Sequence, residues 1–214
     1  MRRSRILFLI FLSWGCLNFS CNQYRHMQRI PTDPLCIRKF KPVFEHAVYK
    51  TSVDVVGKYL SGLLIIKRMP DSSSRIVFTN ELGFTFFDFG FGADTGFHVY
   101  QIAPAMNKKA VIITLRKDFE LIMFRNMDSV KQDALTDSGL VYYAFPQSKG
   151  VNYYITDPNC GRLVKMQRAS DKKPVMEAFF IGNSAGESPD SISIQHLNFN
   201  FSIGLKKISA IATP

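Results

Sequence analysis

The sequence predicts a mainly β fold of the α+β class: a large curved antiparallel sheet, an incomplete barrel of about eleven strands, lidded by one long helix. Three observations carry this. Short runs rich in Val, Ile, Phe, Tyr and Thr recur after residue 44, separated by turn-forming residues. Only the stretch 107–126 places apolar residues convincingly at helical spacing. A flat open sheet of that width is unusual, so the strands must curl or split. With 46% hydrophobic and 13% aromatic residues over 214 positions, the chain can bury a core that offsets its ordering entropy. That excludes disorder for most of it. The one long apolar run lies at the extreme N-terminus, which excludes a multi-span membrane protein.

The elements follow in order. Arg2, Arg3 and Arg5 precede an apolar run at 6–12, and small residues follow, which reads as a secretory signal peptide over 1–20. Its removal takes the formal charge from +10 to +7. Ser20-Cys21 resembles the lipobox junction of bacterial lipoproteins, with Asn18 and Phe19 where Leu and a small residue usually stand. Cys16, after Gly15, is the rival site. The expected mature start is Cys21 carrying diacylglycerol and a palmitate-type acyl chain, which at about 0.8 kcal/mol per methylene holds a protein on its membrane. Plain cleavage and an uncleaved anchor are the alternatives. Residues 21–43, with Pro31, Pro34 and Pro42 and no periodicity, read as the lipidated cysteine and an extended tether, and 44–214 as a single domain. Cys36 and Cys160 either pair or remain separate thiols, because spacing alone does not decide connectivity.

Within the domain, 47–56 alternates as a strand, Gly57 and Lys58 turn it, and 59–67 follows as a more buried strand. Turn chemistry at 69–74 leads to strands at 75–79 and, after a tight turn at 80–83, 84–91. Phe78, Phe84, Phe86, Phe87, Phe89 and Phe91 crowd into this region. Strand side chains alternate, so Phe84 and Phe86 take one surface while Phe87, Phe89 and Phe91 take the other. One face serves the core, and the other needs a helix, a second sheet or a ligand. After a strand at 97–102, Pro104 and Asn107 open the helix, with Asn107 a plausible N-cap. Ile112, Leu115, Phe119 and Ile122 form its stripe, broadened by Val111 and Met123, which packs on the sheet. Lys108 and Lys109 leave an interfacial membrane helix as the alternative. Residues 127–139 read as a loop, and 140–145, 151–155, 163–168, 175–181, 191–199 and 201–208 as further strands.

Catalytic signatures are not found: the sequence has no Gly-x-Ser-x-Gly elbow, no HExxH and no Walker loop, and Gly90-Phe91-Gly92 lacks a third glycine at fingerprint spacing. No Cys/His cluster has zinc spacing. No enzyme, metal or cofactor is expected. His46, His98 and His196 lie in strand-like runs and read as surface or satisfied histidines. Asp88, between Phe87 and Phe89, is either solvent-facing or a buried carboxylate with a raised pKa. The basic residues are dispersed and the address is extracytoplasmic, so nucleic acid is not an expected partner. Anionic lipid headgroups suit the charge better.

This layout of signal and lipobox-like Cys21, tether, hairpins, one helix of about five turns and more hairpins resembles the carrier and receptor proteins of the bacterial lipoprotein-localisation pathway, the LolA and LolB type. The segments 59–67, 75–79 and 84–91 also look like uncharacterised lipoproteins of that layout. The resemblance implies a half-barrel whose apolar cavity takes the acyl chains of a lipoprotein, and a lipid-anchored place in the cell envelope, at the outer membrane. On it, Phe86, Phe87, Phe89, Phe91, Ile113 and Phe119 are expected cavity walls. Leu82, in the 80–83 turn, matches the receptor type's exposed membrane-inserting leucine, or else folds back on the sheet. The alternative function is a structural or protein-interaction lipoprotein with a fully self-packed sheet and no ligand cavity.

Overall fold

Alternation along the strands decides which side of the sheet is dry. In the computed structural model, which describes residues 24–31, 33–93, 96–125, 127, 133–182 and 186–208, thirteen strands form one antiparallel sheet. The signal segment and Cys21 lie outside the described residues. The chain enters through β1 (Gln28–Ile30) and a short helix α1 (Pro34–Arg38), then runs a first meander: β2 (His46–Val55), β3 (Lys58–Arg68), β4 (Ser74–Thr79), β5 (Thr85–Phe91) and β6 (Phe97–Ile102). A 3-10 turn (Pro104–Met106) and helix α2 (Lys109–Ile122) follow. The second meander comprises β7 (Asp133–Asp137), β8 (Leu140–Pro146), β9 (Val151–Thr156), β10 (Leu163–Ala169), β11 (Pro174–Ile181), β12 (Ser191–His196) and β13 (Phe201–Lys207). β13 returns beside β2, with Ile203 opposite Val53, and joins the meanders into one sheet whose edges are β1 and β6.

Tyr49, Thr51 and Val53 of β2, Ile192 and Ile194 of β12, and Phe201, Ile203 and Leu205 of β13 are buried at every second position, so one face of the sheet is the core. Helix α2 lies against that face through Leu115, Phe119 and Ile122. The Phe119 ring stands 5.8 Å from Phe87 and 6.4 Å from Phe91. The stripe thus packs on the sheet. Among the described residues no helix is long and apolar enough to cross a membrane.

Four features differ from the sequence expectation. The sheet has two strands more than expected, because β1 lies in the supposed tether and β7 in the supposed loop. β7 pairs with β8 through Ser138-Gly139, whose φ angles of 51° and 76° make a hairpin turn of the type that suits strand twist. Residues 28–31 and 33–40 are part of the packed body rather than a tether: Cys36 and Ile37 are buried, and a Cys36–Cys160 disulfide spans a Cα–Cα distance of 5.9 Å. The helix starts at Lys109 because Asn107 closes the preceding 3-10 turn, leaving Lys108 as an N-cap without a side-chain hydrogen bond.

The fourth difference shapes the site. Phe78 pairs with Phe87 and Thr79 with Thr85, so Phe86 is the extra residue of a β-bulge. The Phe86 ring stacks on Phe78 at 4.7 Å, and Phe84 meets Phe86 edge-on at 5.3 Å. Phe84, Phe86 and Phe87 therefore serve the same side, instead of dividing between two. On the opposite face Asp88 accepts two hydrogen bonds from the Arg75 guanidinium, at 2.6 and 2.7 Å, and Arg75 lies 3.7 Å from the Tyr100 ring centroid. Asp88 is a paired carboxylate on the polar face.

Candidate functional site

Helix α2 does not fill the space it covers. Between its first three turns and strands β2 to β5 and β13 lies a cavity of about 900 Å³. Inner-face residues of the strands make its floor: Val53, Leu64, Phe78, Phe87, Phe201 and Ile203. The helical side contributes Met106, Val111, Leu115 and Phe119. Val55, Val56 and Leu60 from the β2–β3 hairpin, Phe84 just before β5, and Phe199 of the β12–β13 turn line it further, and Val56, Phe84 and Phe199 remain exposed at its mouth. Apolar lining on this scale matches the usual pattern of small-molecule sites, roughly 300–1,000 Å³ with few polar groups.

The wall's polar groups are Thr51, Thr114, Lys58 and Lys108. Thr51 Oγ1 already donates to the Tyr49 carbonyl at 3.1 Å. Lys108 stands at the start of α2, whose first turn holds no acidic residue, so the helix dipole adds positive potential at this end. The site's lining is hydrocarbon surface with positive charge on Lys58 and Lys108.

The expected wall residues separate by position. Phe86, Phe87 and Phe119 line the cavity. Phe89 and Phe91 lie farther along β5 in the packed core, where Phe97 stands against both rings at 5.3 and 5.2 Å. Ile113 is 41% exposed: two positions from Leu115 is about 200° around a helix, so it faces away from the stripe. Leu82 lies beside the mouth without lining it and is 94% exposed. Asn80 Oδ1 accepts from the backbone N–H of Leu82 at 3.0 Å and of Phe84 at 2.8 Å, and this turn holds the leucine outward rather than folded on the sheet.

One cluster was not anticipated from sequence. Asp118, fully buried on α2, accepts a hydrogen bond from Arg168 Nη1 at 2.8 Å, while its other oxygen lies 2.8 Å from His196 Nε2. The carboxylate thereby ties the helix to β10 and β12. His196 in turn packs 4.8 Å from the Phe199 and Phe201 rings of the cavity wall. A sequence signal existed: position 118 is three residues after Leu115 and four before Ile122, on the apolar stripe, where a carboxylate needs a partner. His46 and His98 are exposed.

No protein-family model matches the chain, and no curated protein matches it. Solved structures do. A LolA superfamily protein from Nitrosomonas europaea superposes with a TM-score of 0.51 at 7% identity, covering 82% of this chain and 90% of its own. An outer membrane lipoprotein-sorting protein domain from Vibrio parahaemolyticus gives 0.46 at 6% identity, covering 85% and 92%. A DUF1329 family protein from Desulfovibrio piger gives 0.42 at 10% identity, covering 86% and 96%. The first likeness is one of architecture, and by it the chain has a LolA-like fold.

Proposed function

We propose that this protein is a non-catalytic, membrane-anchored binder of lipid or acyl chains in the cell envelope, with the cavity under α2 as its site and lipoprotein or lipid localisation as its role. The cavity carries the reading. Water is poorly held in an apolar void because each molecule needs two to four polar partners, whereas a methylene chain gains about 0.8 kcal/mol for each CH₂ it buries. A self-packed interaction module would have no use for such a space. The LolA-like fold supports the same reading, and so does the resemblance in element order, which implies a cavity that takes acyl chains. Lipidation of Cys21 supplies the anchor, and exposed Leu82 is placed to touch a bilayer while the mouth faces it.

Titrating the full-length protein with a homologous series of fatty acids tests this. Affinity is expected to rise about fourfold per added methylene until the cavity is full, and then to level off. Thr114→Trp, which puts an indole into the cavity from the helical side, is expected to move that plateau to shorter chains. No saturable binding, or affinity indifferent to both length and the tryptophan, refutes the reading.

A further inference from the structure

The cavity wall carries charge of one sign. Lys58, the first residue of β3, and Lys108, the residue before α2, are its charged members among the described residues, one from the sheet and one from the helical side. Both are exposed, and among the described residues neither has a carboxylate partner. That sets them apart from Arg68, Arg75, Arg116, Lys165 and Arg168, which are paired with Glu45, Asp88, Glu120, Glu177 and Asp118. A lysine's aliphatic stem can lie along apolar wall while its ammonium stays in water, so the two charges mark where the dry cavity meets solvent.

Resting on the reading that the cavity takes an acyl chain, we propose that the preferred ligand is an anionic amphiphile: a chain ending in a carboxylate or phosphate, tail under α2 and head group held between Lys58 and Lys108. The tail supplies the affinity. The head group supplies orientation and selectivity, because a cationic head would be repelled and a neutral one would leave both ammonium groups without a counter-charge. The pairing is made at a hydrated rim, where each charge contact is modest, so the joint preference over an uncharged chain is about tenfold.

The test uses the full-length protein and four ligands with the same tail: dodecanoate, dodecyl phosphate, dodecanol and dodecyltrimethylammonium. Dodecanoate or dodecyl phosphate is expected to bind about tenfold tighter than dodecanol, and the ammonium compound more weakly than dodecanol, with the spread shrinking as salt screens the rim. The tighter of the two anions identifies the head group. In a Lys58→Glu, Lys108→Glu double variant the order is expected to invert, with dodecyltrimethylammonium binding tighter than either anion. Should the double variant lose dodecanol binding through misfolding, Lys58→Gln and Lys108→Gln are read instead, each expected to shrink the anion preference. Equal affinity for all four ligands in the wild type overturns the head-group proposal and leaves the cavity reading standing. An anion preference that survives both charge reversal and neutralisation overturns the assignment to these lysines. Absence of saturable binding by any of the four overturns the cavity reading and this proposal together.

Discussion

Asp118 is an acidic side chain in a place built for apolar ones, and it is tolerated because two donors meet it. Removing one partner of a buried charged cluster strands the others, which typically costs about 3–5 kcal/mol. Asp118→Asn is therefore expected to lower unfolding stability by about that amount, read from urea denaturation. A loss under about 1 kcal/mol would mean that the three groups are solvated in solution. The stripe position of Asp118 was legible from sequence, but its partners were not, since Arg168 and His196 lie 50 and 78 residues away. Tyr49 gives a second check at this scale. Its hydroxyl donates to the Pro189 carbonyl at 2.9 Å, and burial, with the Asp190 charge adding, pushes its pKa from 10.0 up to about 12. Below pH 10 both folded and unfolded phenols are neutral and the full contribution is present. Between pH 10 and about 12 the unfolded phenol ionises while the buried one does not, so stability is expected to fall by about 1.4 kcal/mol per pH unit from this residue. Denaturation midpoints across that range should decline less steeply in Tyr49→Phe. Equal slopes would show that the phenol titrates freely in the folded protein.

At the scale of elements, the helix is held by its stripe and the cavity is set by a bulge. Phe119 is fully buried and is shared between the core, through Phe87 and Phe91, and the cavity wall. Phe119→Ala is expected to cost about 3–5 kcal/mol, less where the vacated volume merely enlarges the existing cavity. A denaturation loss under about 1 kcal/mol would mean that α2 is not packed on the sheet in solution. The 3.6-residue period made this helix readable, and the alternating runs made most strands readable. The bulge was not readable. Strict alternation assigns Phe86 to the face opposite Phe87, and only the pairing of Thr79 with Thr85 shows that one residue of β5 is spare. β7 escaped notice because Asp133–Asp137 has only two apolar residues and owes its place to its hairpin with β8. The role of residues 28–31 and 33–40 stayed hidden for a different reason: the disulfide that fixes α1 closes a loop of 124 residues, and no local pattern encodes that choice of partner.

For the whole molecule, the succession of hairpins was enough to suggest the architecture, but the site depends on a closure that the succession does not contain. β13 lies beside β2, so Phe199, Phe201 and Ile203 share a cavity with Val53 and Leu64 although nearly the whole domain separates them in sequence. Antiparallel pairing also fixes which turns share an end. The β2–β3, β4–β5 and β12–β13 turns all fall at the end where α2 begins, so Val56, Leu82, Phe84 and Phe199 gather around one opening. Leu82 differs from the other three because it contributes nothing to the cavity wall, so its substitution separates delivery from binding. Seating one leucine in a bilayer is worth about 1.5–3 kcal/mol, enough to change the frequency of productive encounters about tenfold or more. Leu82→Glu is therefore expected to slow transfer of a fluorescent fatty acid from lipid vesicles to the protein by at least about tenfold, while leaving affinity for the same ligand in free solution unchanged. The charge change alone has to be separated from loss of the apolar tip, and Leu82→Asn does so: it should slow transfer nearly as much without adding a negative charge. Transfer at the wild-type rate in both variants would mean that the leucine, however exposed, does not meet the membrane and that the mouth loads by another approach.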